Sequence, residues 1–443
     1  RLDARRDLVL KVFRDTGLIE DQEYRRAVAR PLGVTTADRD DRSGYPAFMD
    51  MVRRQLRADY RDADLREQGL RIFTTLSPSA QYHAERALSD GLPAVENAAG
   101  TLQGAIVLAQ PDSGEIRALV GDRVPDRPGF NRALDARRPV GSVIKPFLYL
   151  LALADPAAFT LVTPVLDEPL SVPQSGRPDW RPRNYDQTSH GRVPLLEALS
   201  RSYNQATVRV GLAVGVDALF RLLEQLGVAP GDARHPAAFL GAVDLTPLQV
   251  AQLYQPLASG GYSTPLRAIT DVVDRDGRAI ARYPVRLRPI RERGALSLLD
   301  FALQRVAVDG TARSLSWRLE RPAARRAQIR GKTGTTGDRR DAWFAGYTHD
   351  WLAVVWVGRD DNRPAAVSGA ASALPVWARL FDALPHRPAR NTRSDDVEWF
   401  WIDWPEPLLA ERECPNARAV PFIAGSQPAR RSECMTGGSG NRR

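Results

Sequence analysis

Two apolar hairpin patterns, far apart in the chain, set the frame for what it can fold into. Ala105-Ile106-Val107-Leu108-Ala109 is a continuous apolar run. A run with no polar alternation fits a strand buried on both faces. Pro111-Asp112-Ser113-Gly114 comes next as a turn signal, and Glu115 to Val120 returns as a second strand, so a β-hairpin is predicted. Much later, Gln328 to Thr333 reads as a third strand. Ala342 to Thr348 and Leu352 to Val357 form a second hairpin, and Leu374 to Leu384 reads as a closing helix. Between these blocks, residues 154 to 330 read as mainly helical with Pro-rich connections. Strands at both ends can share one sheet only by pairing across that insert. The predicted class is α+β: an antiparallel five-stranded sheet flanked by helices, with a helical subdomain. The active site is expected between the two, with Lys332-Thr333-Gly334 on the strand that lines the cleft.

The flanks are read the same way. Residues 1 to about 34 give two helices, the first with Leu8, Val9, Leu10, Val12 and Phe13 as its apolar face. Glu20-Asp21 and Glu23 sit in a polar helix and are read as a solvated face. A polar linker from Thr35 to Gly44 leads to a third helix, about Pro46 to Tyr60, with Phe48, Val52 and Leu56 four apart. Ile72 to Leu76 is a short strand. Ser77-Pro78 opens a helix in the N-cap/N1 manner, and Thr246-Pro247 opens another before Leu257. From about 386 the composition shifts to the aromatic, strand-like Val397 to Trp404, then Cys414, Cys434 and a Gly/Arg end.

Chemistry enters at Gly141-Ser142-Val143-Ile144-Lys145-Pro146, followed by the apolar run Phe147 to Leu153. On a helix, positions i and i+3 share a face, so Ser142 and Lys145 are expected to point at one small volume. A serine hydroxyl is a poor nucleophile until a base takes its proton. A lysine becomes that base when burial and neighbouring charge lower its pKa. A bare S-x-x-K could equally be a helix cap beside a surface charge. Two features decide against that. Of 62 Lys+Arg, only Lys11, Lys145 and Lys332 are lysine. Where charge alone is needed this chain uses Arg, which cannot give up its proton. The second feature is order: Ser202-Tyr203-Asn204 comes after Lys145, and Lys332-Thr333-Gly334-Thr335 after that.

Composition bounds the alternatives. At 443 residues, with 43% hydrophobic and 26% charged residues, the chain has ample material for roughly two to four domains. It holds no apolar run of ~18 residues and no signal peptide, and its opening at Arg1 reads as a fragment or processed form. A net charge of +9 suits an anionic partner, such as a phospholipid surface or an acidic polymer. The arginines are dispersed and no nucleic-acid motif is present. Five scattered histidines and two cysteines cannot build a zinc pattern, so neither a metal nor a cofactor is expected.

S-x-x-K, then S-x-N, then K-T-G resembles the motif set of penicillin-binding proteins and serine β-lactamases. The match extends to Ala29-Arg30-Pro31-Leu32-Gly33-Val34, Asn131 to Arg138, Leu240 to Pro247 and Asp341-Ala342-Trp343-Phe344-Ala345-Gly346. The chain as a whole resembles the bifunctional class A penicillin-binding proteins of the 1B type. The resemblance implies that fold for the sheet and subdomain. It places residues 1–60 at the end of a glycosyltransferase domain and its connection, and 61–99 in an inter-domain linker. The transpeptidase domain falls at 100–385 and a small extension at 386–443. The glycosyltransferase motifs and the family's N-terminal membrane helix are missing from the chain. A periplasmic location anchored to the inner membrane is implied for the longer protein.

The resemblance also implies a reaction and a role for each motif residue. Ser142 attacks the D-Ala-D-Ala carbonyl of a peptidoglycan stem peptide, expelling D-Ala, and the amine of a second stem resolves the acyl-enzyme. Lys145 is the base, Ser202 relays a proton to the leaving amine, and Asn204 holds the substrate amide. Lys332 supplies positive potential, and the hydroxyls of Thr333 and Thr335, around Gly334, bind the substrate carboxylate. The oxyanion hole is the backbone N–H groups of Ser142 and Thr335, typically worth ~3 kcal/mol per donor. An extended peptide adds as a strand beside the Lys332 strand. β-Lactams acylate the same serine, and cell-wall synthesis and regulatory proteins are the implied partners. A periplasmic pair of cysteines is normally oxidised, so a Cys414–Cys434 disulfide is expected.

Three rival functions are weighed. A class A β-lactamase needs a glutamate for deacylation. Between Ser202 and Lys332 the glutamates are Glu224, Glu292 and Glu320, and none has an asparagine four residues on. A carboxypeptidase, which transfers to water, has the same motifs. A non-catalytic penicillin-sensing receptor needs a signalling module, and none is visible.

Overall fold

The computed structural model describes residues 2–30, 44–61, 65, 69–96, 100–174, 176–231, 234–387 and 394–435. Contacts divide the chain into two units, Arg1–Pro46 and Ala47–Arg443. The expected linker at 35–44 lies largely outside the described residues. In the first unit, α1 (Leu2–Asp15) and α2 (Asp21–Ala29) form a helical pair. Glu20 and Glu23 form a capping box at the start of α2, which uses the acidic side chains of that segment locally.

The second unit runs, in order, through α3 (Pro46–Asp59), β1 (Arg71–Thr74), α4 (Pro78–Val95), β2 (Gln103–Ala109) and β3 (Ile116–Val120). A 3₁₀ turn, Gly141–Ile144, passes directly into α5 (Lys145–Leu153). Then come α6 (Leu195–Ser200), α7 (Asn204–Val214), α8 (Pro247–Ala258), β4 (Ile269–Val273), β5 (Ala279–Arg282) and α9 (Arg293–Val308). The last elements are β6 (Arg330–Thr335), β7 (Asp341–Tyr347), β8 (Leu352–Gly358), α10 (Leu374–Ala383), β9 (Val397–Asp403) and β10 (Ala417–Ile423).

The main sheet has the order β6-β7-β8-β2-β3 and is antiparallel throughout. The two hairpins of the sequence meet where β8 pairs with β2, Leu352 opposite Ala109 and Gly358 opposite Gln103. Every residue of β7 and β8 is buried. A strand buried on both faces needs cover on both. The helices α4 and α10 pack together over β2, β3 and β8, and α8 packs on β8 and β2. Caps read from the sequence fix two of these helices. Ser77 Oγ accepts from the Ala80 N–H at 3.4 Å, with Pro78 at the first position of α4. Thr246 and Gln249 form a reciprocal capping box on α8, at 3.2 and 3.0 Å.

The stretch 154–330 is more mixed than its sequence reads. Pro164–Asp167 pairs with Gly191–Pro194, and Val172–Gln174 with Arg177–Trp180. The strand β4 joins β1 and β5 in a separate three-stranded sheet. These strands are three to five residues long, too short for a period-2 pattern to register. The β1–β4 pair is also set by chain segments far apart in sequence. Toward the C-terminus β9 pairs with β10, and a Cys414–Cys434 disulfide with Cα atoms 5.9 Å apart closes the region beside them.

Candidate active site

Ser142 sits in the 3₁₀ turn, not in the α-helix proper; Lys145 begins the α-helix. The change of pitch follows from the local sequence. Gly141 has φ +56, and an added Cβ there would lie 2.7 Å from Thr335 O. Only glycine lets the turn press against the end of β6 in this way. Pro146, which has no N–H to offer, falls within the first turn of α5 where none is needed. The turn is pinned from several sides. Tyr254 Oη donates to Val143 O at 2.7 Å, and Trp343 Nε1 donates to Pro139 O at 3.0 Å. Behind it, Tyr149 and Thr207 share a 3.1 Å hydroxyl hydrogen bond that ties α5 to α7.

Lys145 is fully buried. Its Nζ donates to Ser202 O and Asn204 Oδ1, each at 2.8 Å, and lies 3.2 Å from Ser202 Oγ and 3.4 Å from Tyr203 O. Lys332, also fully buried, reaches the same hydroxyl from β6: its Nζ is 2.8 Å from Ser202 Oγ and 3.1 Å from Thr333 O. One serine oxygen therefore stands between two amines. Burial, then the charge of Lys332, drives the Lys145 pKa well below that of a free lysine, against a smaller opposite pull from Asp167. Burial alone pulls Lys332 down to about 7. Two neighbouring ammonium groups out of water are costly, and the loss of one proton relieves both burial and repulsion. A neutral Lys145 still has two protons for its two 2.8 Å acceptors and keeps a lone pair.

The Ser142 hydroxyl, half-buried, has no hydrogen-bond partner among the described residues. Sequence spacing led to a direct Ser142–Lys145 pairing, but the Lys145 amine is turned to Ser202 and Asn204. Catalytic hydrogen bonds of this kind often tighten only with substrate in place. Asn204 Oδ1 accepts from Lys145 and its Nδ2 donates to Arg183 O at 2.8 Å. One amide proton is left for another partner. Ser202 has φ +65, a left-handed conformation uncommon outside glycine. Such strain is characteristic of functional turns. Thr333 is buried, and its hydroxyl lies 2.6 Å from that of Thr311. Thr335 Oγ1 accepts from the Gly369 N–H at 3.1 Å.

The Ser202–Asn204 turn depends on residues that no motif flagged. Tyr203 precedes α7 and offers no side-chain cap. The first three N–H groups of α7 are met instead from a distant loop and the end of the strand Pro164–Asp167. Asn184 Oδ1 accepts from Asn204 N at 2.6 Å and from Gln205 N at 3.3 Å, and Asp167 Oδ1 accepts from Ala206 N at 3.1 Å. The other Asp167 oxygen accepts from Asn184 Nδ2 at 2.6 Å and lies 2.7 Å from His190 Nδ1. The His190 ring stacks on Tyr203, with centroids 3.9 Å apart. No local pattern announces this cap, because it joins segments about twenty and forty residues apart. Among the described residues, no group of three or more His, Cys, Asp or Glu could hold a metal. No described helix is long and apolar enough to cross a membrane.

The fold and the three motifs define the class, a penicillin-binding transpeptidase domain. Residues 104–374 match the family model of the penicillin binding protein transpeptidase domain, and the chain belongs to that family. It carries the transpeptidase domain of class A penicillin-binding proteins. It is 39% identical to penicillin-binding protein 1B of Vibrio cholerae over 96% of this chain and 54% of that protein. It is 37% identical to penicillin-binding protein 1B of Escherichia coli over 90% of this chain and 47% of that protein. The chain thus spans about half the length of these relatives. In fold it is similar to the crystal structure of penicillin-binding protein 1A from Haemophilus influenzae. The TM-score is 0.77, with 22% identity, over 97% of this chain and 83% of that one.

Proposed function

We propose that this chain is a serine D-Ala-D-Ala transpeptidase that cross-links peptidoglycan stem peptides. The observation that carries the reading is the convergence of two buried lysines on Ser202 Oγ, at 3.2 and 2.8 Å, with Lys145 itself at the C-terminal end of the turn that bears Ser142. A neutral Lys145 takes the Ser142 proton as the oxygen attacks the carbonyl carbon. The carbonyl π pair moves onto oxygen, which the N–H groups of Ser142 and Thr335 receive. Collapse breaks the C–N bond. Ser202 passes a proton to the departing D-Ala amine and is itself replenished from the lysine pair. The amine of a second stem then attacks the ester and restores the Ser142 hydroxyl. Lys332 biases the cleft toward the anionic end of the donor peptide, and Thr333 and Thr335 hold its carboxylate. A β-lactam goes through the first half of this sequence and stops.

The edge position of β6 supports the docking of an extended peptide. Among the described residues β6 pairs in the main sheet with β7 alone, and an unpaired strand edge is a template for main-chain hydrogen bonds. We read residues 1 to about 60 as the end of a glycosyltransferase domain with its connection, 61–99 as a linker whose helix α4 packs onto the main sheet, and 386–443 as an extension stapled by its disulfide. The periplasm, with inner-membrane anchoring of the longer protein, is the location that fits these assignments. Incubation with a peptidoglycan precursor and a partner glycosyltransferase tests the reading, with mass analysis of the products. Dimeric stem peptides are expected. Loss of D-Ala without dimers would make the chain a carboxypeptidase. Stable acylation with neither product would make it a receptor.

A further inference from the structure

The threonines of the Lys332 strand face a constraint of proton count. A carboxylate can only accept hydrogen bonds, and a hydroxyl has one proton to give. Each threonine can grip a carboxylate only if its one proton is not donated elsewhere, so the neighbour behind it must be a donor. For Thr335 the direction is fixed, because the Gly369 N–H can only donate and does so to Oγ1 at 3.1 Å. Gly369 is held against the strand. An added Cβ there would lie 2.6 Å from both Gly334 O and Trp343 O, so the close approach requires glycine. For Thr333 the partner is the Thr311 hydroxyl, at 2.6 Å. Thr311 lies in the turn after α9, and its N–H donates to Ser200 O at 3.1 Å, two residues before Ser202. Thr311 therefore joins the strand of Lys332 to the segment that delivers Ser202.

We propose that Thr311 is a positioning residue: its hydroxyl donates to Thr333 Oγ1 and turns the Thr333 proton toward the carboxylate of the acyl donor. This role rests on the transpeptidase reading. If Thr311 accepted instead, the Thr333 proton would be spent on it and nothing would face the carboxylate. The Gly369 N–H does for Thr335 what the Thr311 hydroxyl does for Thr333. Thr311 touches neither the substrate nor the reacting atoms.

The test compares acylation of Ser142 by a penicillin and by the same penicillin esterified at its carboxylate, in wild type, Thr311→Val and Thr311→Ser. Valine keeps the shape and removes the hydroxyl; serine keeps the hydroxyl. Thr311→Val should slow the free acid by about tenfold, the scale of one hydrogen bond to a charged group. It should leave the ester rate within about twofold of wild type, and Thr311→Ser should recover most of the acid rate. Equal slowing of acid and ester means a structural role only and overturns the proposal, as does no slowing of either. Failure of Thr311→Ser to recover the acid rate also overturns it. A Thr311→Val protein that does not fold, seen as a lost unfolding transition, leaves Thr311→Ser and an additional Thr311→Cys to decide by the same acid-to-ester ratio. A wild type that is not acylated at all would sink the transpeptidase reading instead.

Discussion

Lys332 and Ser202, 130 residues apart in sequence, meet through a 2.8 Å hydrogen bond, and the same serine oxygen lies 3.2 Å from Lys145 Nζ. Neither lysine has water to spread its charge into. The proton inventory of the site is therefore set by three side chains acting together, and its titration belongs to the group as a whole.

Lys145→Arg should abolish acylation although it keeps the positive charge. Arginine's pKa, above ~12, denies the Ser142 proton a place to go. The loss should be at least the ~10²- to 10⁴-fold typical of general-base catalysis. Labelling by a fluorescent penicillin measures it, with Ser142→Ala as zero and an unfolding curve to confirm the fold. Labelling within a few-fold of wild type would show that Lys145 is not the base.

Acylation should persist well below the pH at which a free lysine is protonated, and fall only where the buried base itself gains a proton. Burial lowers both lysine pKa values, and the base must be neutral to act. The acid limb of the rate profile should therefore lie well below the ~10.4 of a free lysine. A rate that already falls as pH drops from about 10, as for a free lysine, would contradict this.

Stability should carry the same signature. A lysine with a folded pKa of about 7 binds more protons unfolded than folded between that value and ~10.4, so this contribution to stability rises with pH across the window. Lys332→Met should remove that rise. The urea midpoint of wild type, measured from about pH 7 to 10, should rise relative to that of the variant as pH increases, and parallel curves would refute the assignment.

Asp167→Ala should destabilise the chain by at least about 2 kcal/mol, since it strips α7 of a cap and leaves buried donors unpaired. Asp167 is fully buried and serves Ala206 N, Asn184 Nδ2 and the His190 ring together. Asp167→Asn retains an acceptor for Ala206 and should lose less. Chemical denaturation ranks the three proteins, and an alanine variant as stable as wild type would exclude the capping role.

Reduction should raise the intact mass by two hydrogens and weaken the tail. The Cys414–Cys434 bridge closes a loop with a sequence separation of 20, for which chain entropy gives roughly 3 kcal/mol. Free-thiol labelling without reductant would disprove the bridge in solution.

The local signals in this chain are the ones its sequence carries plainly. The apolar runs of β2, β7 and β8, the caps at Ser77 and Thr246, and the ordered motifs at Ser142, Ser202 and Lys332 each depend on neighbours within a few residues. Period and capping chemistry act at that range, so the sheet, its flanking helices and the three motifs are legible without coordinates. The short strands of 154–330 are not, because pairs such as β1 with β4 are decided by which distant segment arrives alongside. The same holds for the finer part of the site. That Lys145 turns to Ser202 and Asn204 results from where α7 is placed, and that placement depends on Asp167 and Asn184 reaching its open N–H groups. Chain order alone picks out the candidate residues for the chemistry. Their protonation, their hydrogen-bond directions and the residues that orient them were decided only by tertiary structure, because burial and charge proximity are properties of space and not of chain order.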